Sequence, residues 1–366
     1  MKSNRQHLHI NQAGFSLVEI LVGLVIGLLA TLVIMQVFSV FEGQKRTTTG
    51  TADAQTNGSI ALYSIANELQ MAGYSLLPST DSPLECTTLA FGATGISDIS
   101  PVTITDGGAA AGASDSIVIR YGNTSSGGVP SLITATGLPG PLDVTIDNNL
   151  GCRVDDIAMI VNGSTCNLTR VTGPTDIANP PVVSAPPNLN TVSLQSAAGA
   201  LVGSNVSCLG AWNVTLFRVN PNYDPTVPAN SQAYLERSGA PSVADIVNIQ
   251  AQYGISAISN SNQITQWVNA SGATWAVPTV ADRNRIKAIH IAVVARNGLL
   301  EKDNVTSACT TAKGTVSNGP CAWDDTNVDA APAIDLSNDP DWQRYRYRVF
   351  ETIIPLRNMI WSKDTL

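Results

Sequence analysis

Charge, histidine and aromatic side chains are all scarce in this chain of 366 residues. Asp, Glu, Lys and Arg make up 13%, aromatics 5%, and there are three histidines. Globular proteins usually carry ~25% charged residues. His7 and His9 precede a long apolar run, so His290 stands alone in the remainder. A metal centre built from several histidines is therefore excluded there. A Ser-His-Asp triad would have to use His290, and nothing near it resembles a nucleophile elbow. No CxxC, no Walker loop and no Gly-x-Gly-x-x-Gly after a strand occurs. Basic patches interleaved with aromatics are missing too. The net charge is −8 with a pI near 4.8, which suits no phosphate backbone, so nucleic acid is not expected as a partner. The sequence reads as non-enzymatic, with no cofactor and no metal.

What fills the gap is Gly (29), Pro (20) and abundant Ser, Thr and Asn, beside 44% apolar residues. That composition fits short strands joined by polar turns around an adequate core. Six cysteines, Cys86, Cys152, Cys166, Cys208, Cys309 and Cys321, all follow the apolar run. Their even number fits disulfides in an oxidising compartment. Neighbours in sequence pair as Cys152–Cys166 and Cys309–Cys321, which leaves Cys86 with Cys208.

The first fourteen residues are polar and basic, with Lys2 and Arg5. Phe15 to Phe41 is then almost wholly apolar, long enough as a helix to cross a bilayer core of ~30 Å. The leading Lys and Arg favour a cytoplasmic N-terminus, and Lys45 and Arg46 oppose this. A single carboxylate, Glu19, interrupts the run. Such a charge costs ~2.5–3.5 kcal/mol in lipid and marks function. A plain signal anchor with a snorkelling Glu is the other reading.

Gly14-Phe15-Ser16-Leu17-Val18-Glu19 resembles the type IV prepilin signal: a short basic leader, Gly, then Phe-x-x-x-Glu opening an apolar helix. The resemblance implies cleavage by prepilin peptidase between Gly14 and Phe15, and N-methylation of Phe15. It also implies that Glu19 neutralises the N-terminal amine of a neighbouring subunit in a filament. Major pilins of this kind often carry a mid-helix proline; Gln36 occupies that place here.

Beyond the run, Thr47-Thr48-Thr49-Gly50-Thr51 is poor helix-forming sequence. Ile60, Tyr63, Ile65, Leu69 and Met71 then recur near helical spacing, with Gly73 and Pro78 as stop signals. The expectation is one long helix, or two collinear pieces, ending near residue 75. Strand candidates are Ser116–Tyr121, Ile157–Val161, Trp212–Val219 and Ile286–Arg296. Tyr345–Phe350 alternates aromatic or apolar residues with Arg, as a strand with one solvated face does, and Pro355 limits its pairing. Residues 173–190, rich in Pro and Asn, read as an exposed loop. Asp324, Asp325, Asp329, Asp335, Asp339 and Asp341 supply the oxygens that a calcium site needs. Without EF-hand spacing they read as a solvated acidic loop.

The stretches Ile246–Gly254, Arg285–Arg296 and Tyr345–Asn358 resemble the PilW family of minor pilins, itself similar to the J-type minor pseudopilin of type II secretion. The resemblance implies an α+β, type IV pilin-like fold. Its parts would be a leader (1–14), a transmembrane and filament-core helix (15–41), a periplasmic continuation (42–77) and a β-rich head (78–366) of one lobe or two. It implies a subunit anchored once in the inner membrane, head in the periplasm, then carried into an extracellular pilus. Implied partners are prepilin peptidase, other minor pilins, the major pilin and a large tip adhesin. A minor pseudopilin of a secretion machine and a membrane-anchored periplasmic binding module remain the alternatives.

Overall fold

A computed structural model describes residues 16–76, 86–137, 140–148, 152–173, 190–259, 261–325 and 330–360. Gly14, Phe15, Pro78, Asp329 and nearly all of the expected loop 173–190 lie outside the described residues.

Helix α1 runs unbroken from Leu17 to Met71, 55 residues. The threonine-rich stretch does not interrupt it. Thr47, Thr48 and Thr51 donate their hydroxyl hydrogen bonds to the carbonyls four residues back, at 3.1, 2.9 and 2.7 Å. These side chains thus use the helix backbone as their acceptor instead of opening a turn. The helix ends before Gly73, whose φ of +73° is the left-handed conformation open to glycine. The Gly73 amide leaves the helix ladder and donates to the Arg120 carbonyl at 2.9 Å.

The chain divides into two units between Ala52 and Asp53. In the second unit, the described residues form three main sheets. The seven-stranded sheet orders β1 (Thr88–Ala90), β7 (Thr165–Gly173), β6 (Ile157–Asn162), β9 (Asn205–Gly210), β4 (Ser131–Thr136), β5 (Asp143–Ile146) and β8 (Thr191–Leu194). The five-stranded sheet orders β12 (Ala240–Ala244), β11 (Tyr234–Arg237), β10 (Asn213–Val219), β3 (Ser116–Tyr121) and β2 (Val102–Thr105). The four-stranded sheet orders β14 (Ile264–Asn269), β13 (Ile246–Ser256), β15 (Ile286–Arg296) and β18 (Tyr347–Pro355). A small ribbon pairs β16 (Cys309–Thr310) with β17 (Val316–Ser317). A long helix with a β-rich head is an α+β architecture.

The largest core lies between the helix from Ala54 onward and the four- and five-stranded sheets. Ala54, Ala61, Ile65, Leu69 and Ala72 recur every three, four or seven residues, so they share one face. They pack with Ile246, Ile249, Tyr253, Ile289, Ile291, Val293 and Ile354. β13 and β15 are buried along all eleven residues each, polar side chains such as Asn248, Gln250 and Gln252 of β13 included. The seven-stranded sheet has its own core, around Ile133, Val144, Ile160, Val171 and Val206.

Two disulfides differ from the expected pairing. Cys86 bonds Cys166 and Cys152 bonds Cys208, while Cys309 bonds Cys321. β6 and β7 form a hairpin in which Val161 faces Cys166, at the far end of β6 from Cys152. The length of β6, ~17 Å at ~3.3 Å per residue, therefore separates Cys152 from Cys166. A disulfide needs Cα atoms within ~7 Å. Cys166 instead faces Leu89 in the parallel β1–β7 pair, close to Cys86. The last strand also starts later than expected. Tyr345 closes a short 3-10 turn, Trp342–Arg344, and β18 runs from Tyr347 to end at Pro355.

Candidate functional site

From Leu17 to Phe41 every residue of α1 is exposed, and Glu19 is the one charged residue among them. The apolar character is continuous around the helix, with a mean hydropathy of 2.8 over its most apolar span. A helix apolar on all sides has no stable place in water. Length and composition make it a candidate membrane span. Glu19 lies in the first turn, where its amide donates to the Ser16 carbonyl at 2.9 Å. A carboxylate there complements the positive end of the helix dipole. Gln36 is exposed and the helix passes it without a break.

The second half of the helix is held to the head by three devices that the sequence reading missed. Gly58 meets the ring of Phe350 on β18, with no room for a Cβ between them. Glu68, buried on the apolar face, accepts from the Tyr121 hydroxyl at 3.0 Å and pairs with Arg237. Asn358 donates its side-chain amide to the carbonyl of Ala72 at 3.0 Å. The signal for Glu68 was present, as a carboxylate inside the stripe Ile65–Leu69. Nothing in the sequence marks Phe350 as the partner of Gly58.

The groups with catalytic potential are engaged structurally. The His290 ring stacks on Trp323 at 3.8 Å and meets Trp267 at 5.2 Å between centroids. Burial pushes its pKa down to about 4, so the ring is a neutral part of an aromatic layer. No serine hydrogen-bonds it among the described residues, and the nearest carboxylate, Glu351, stands 3.9 Å away. Asp115 is buried and accepts from the amides of Gly107 (2.9 Å) and Ala251 (2.8 Å). Desolvation pushes its pKa up to about 7. It ties the loop before β3 to β13. Lys287 is buried and donates to the Ser259 carbonyl at 2.8 Å; burial lowers its pKa.

The acidic stretch is built as a set of loop caps. Asp325 accepts from the amides of Lys313 and Ala331, and Asp335 from Ser337 and Asn318. Asp339 faces Arg296 at 3.3 Å and Asp341 faces Arg344 at 2.9 Å. Among the described residues no cluster of three or more potential ligands could hold a metal ion.

Residues 215–358 match the family model of type IV pilus-assembly protein W, PilW. The matched segment begins in β10 and covers the whole four-stranded sheet. It supports a part in type IV pilus assembly. No curated protein and no solved structure matches the chain.

Proposed function

We propose, taking residues 215–358 as a PilW segment of type IV pilus assembly, that the chain is a minor pilin built into the filament through its N-terminal helix. Prepilin peptidase cuts after Gly14 and methylates Phe15. The helix first anchors the subunit in the inner membrane with its head in the periplasm. It then moves into the filament core beside other minor pilins and the major pilin. Glu19 supplies the counter-charge to a neighbour's N-terminal amine. A lone carboxylate in a low-dielectric bundle requires such a partner.

The observation that carries this reading is the helix from Leu17 to Phe41, exposed and largely apolar on every side, with Glu19 as its one charged residue. Bulk favours a place at the tip, in a complex that primes assembly and presents a large adhesin, and so supports adhesion and twitching motility. A head reaching from Asp53 to the C-terminus would crowd its neighbours along a shaft.

The test is to count surface pili in Glu19→Ala and Gly14→Val strains at native expression, with mass spectrometry of the mature N-terminus. Loss of pili and a methylated Phe15 in the parent are expected. Normal piliation in both strains, or an intact Met1 in the parent, would overturn the reading in favour of a membrane-anchored periplasmic module.

A further inference from the structure

Between the seven- and five-stranded sheets lies a cleft of about 660 Å³, within the ~300–1,000 Å³ usual for small-ligand sites. Ile157 of β6 and Arg170 of β7 line one side, and Arg120 of β3 the other. Trp212, just before β10, and the loop residues Asp98 and Asp155 complete it. Every lining residue falls between positions 94 and 214, before the PilW segment begins at 215. Whatever the cleft does is therefore separable from the assembly reading.

The charged side chains that line it are equal in number of each sign. Two arginines face two aspartates. Asp98 holds Arg120 at 3.1 Å and Arg283 at 3.8 Å. Arg170 donates to the Asp155 backbone carbonyl at 3.0 Å. An anion would meet the two carboxylates, and a cation the two guanidinium groups. A neutral ligand rich in hydroxyls suits both, since charged groups make the strongest hydrogen bonds to such partners.

Hydrogen-bonding capacity is left over at this place. The exposed Asp155 carboxylate accepts no hydrogen bond among the described residues, and the Trp212 indole N–H is buried without a partner. Asp155 also adopts φ +72°, a left-handed conformation uncommon for a residue with a side chain. It is held there by its amide on the Val171 carbonyl, 2.9 Å, and by Arg170 on its own carbonyl. Backbone strain of this kind gathers at ligand sites. The half-buried Trp212 indole adds a flat apolar surface to the lining.

We infer that this cleft binds a neutral oligosaccharide. One sugar ring would lie against Trp212, with its hydroxyls bridging Asp155 and Arg170.

The full chain in detergent micelles would be applied to an array of neutral, sialylated and sulfated oligosaccharides, followed by titration with the best neutral glycan. Retention of neutral glycans is expected. Affinity should fall about tenfold or more in Asp155→Asn, with the unfolding midpoint unchanged, and about tenfold or more in Arg170→Gln. Asn accepts the left-handed conformation as readily as Asp, so the first variant keeps the turn. Trp212→Ala should abolish binding, and if that variant fails to fold the two polar variants decide. Retention of acidic glycans alone, no retention at all, or unaltered affinity in both polar variants would each overturn the proposal. Piliation is scored separately and does not bear on it.

Discussion

Gly58 on the long helix lies directly beneath the ring of Phe350 on β18, and a Cβ at residue 58 would overlap that ring. The helix therefore approaches the sheet more closely here than any side chain permits. Gly58→Ala sets two effects against each other. Helix propensity gains up to ~1 kcal/mol from replacing Gly by Ala, and overpacking a tight contact costs ~1–3 kcal/mol. The clash should win, giving a net loss of stability in thermal or urea unfolding. Pairing the change with Phe350→Leu should recover part of that loss. Gly58→Ala at or above parental stability would show that the helix and β18 can part without cost.

Glu68 links the same helix to β3 and β11 through Tyr121 and Arg237. Half of the Arg237 side chain is exposed, so solvent screening weakens the ionic part. The buried acceptor matters more. Glu68→Ala should lower stability by ~1–3 kcal/mol, and Arg237→Ala by less. Equal losses in the two variants would place the energy in the ion pair instead.

Two buried groups give opposite dependences on pH. Asp115 has its folded pKa raised, from 3.8 to about 7, so the folded state holds the extra proton. Its contribution is full below about pH 4 and is lost as pH rises toward 7. His290 has its folded pKa lowered, from 6.5 to about 4, so the unfolded state holds the extra proton. Its contribution is full above about pH 6.5 and is lost as pH falls toward 4. Each slope amounts to a few kcal/mol at ~1.4 kcal/mol per unit, and the two largely cancel between pH 4 and 6.5. Asp115→Asn should leave stability rising with pH across that window. His290→Phe should leave it falling. Parallel curves for the two variants, by urea unfolding at several pH values, would contradict this assignment.

The disulfides should differ in what they contribute. Cys86–Cys166 spans 80 residues and Cys309–Cys321 spans 12. Chain-entropy arguments give about 4.5 kcal/mol for the longer loop against about 3 for the shorter. Double Cys→Ser variants should rank in that order. Peptide mapping without reduction should recover Cys86 with Cys166 and Cys152 with Cys208.

Two strands were legible with their observed boundaries, Ser116–Tyr121 in the five-stranded sheet and Ile286–Arg296 in the four-stranded one, because runs of β-branched residues bounded by polar turns carry a strong local signal. The helix was legible from its apolar run and from the helical spacing of Ile60 to Met71, though not that it passes unbroken through Thr47–Thr51. Of the seven-stranded sheet only β6 was legible, as Ile157–Val161; the register of that sheet shifts at three of its pairings, β4–β5, β6–β9 and β7–β8. Disulfide pairing was misread because closeness along the chain says nothing of which end of a strand a cysteine occupies. The cleft was invisible: Asp98, Arg120, Asp155, Arg170 and Trp212 are scattered over more than a hundred positions, and no local spacing relates them.

The last strand also sets a timetable. Phe350, Ile354, Leu356 and Met359 cover the apolar face that begins at Ala54. These last contacts form only after some three hundred further residues have been synthesised and delivered, although β2, β3, β13 and β15 reach the same core sooner. The head thus cannot close while the chain is still emerging. A factor that shields this stripe during export, or prompt burial against the partly formed β13–β15 pair, must bridge the interval, and its aggregation hazard is greatest then.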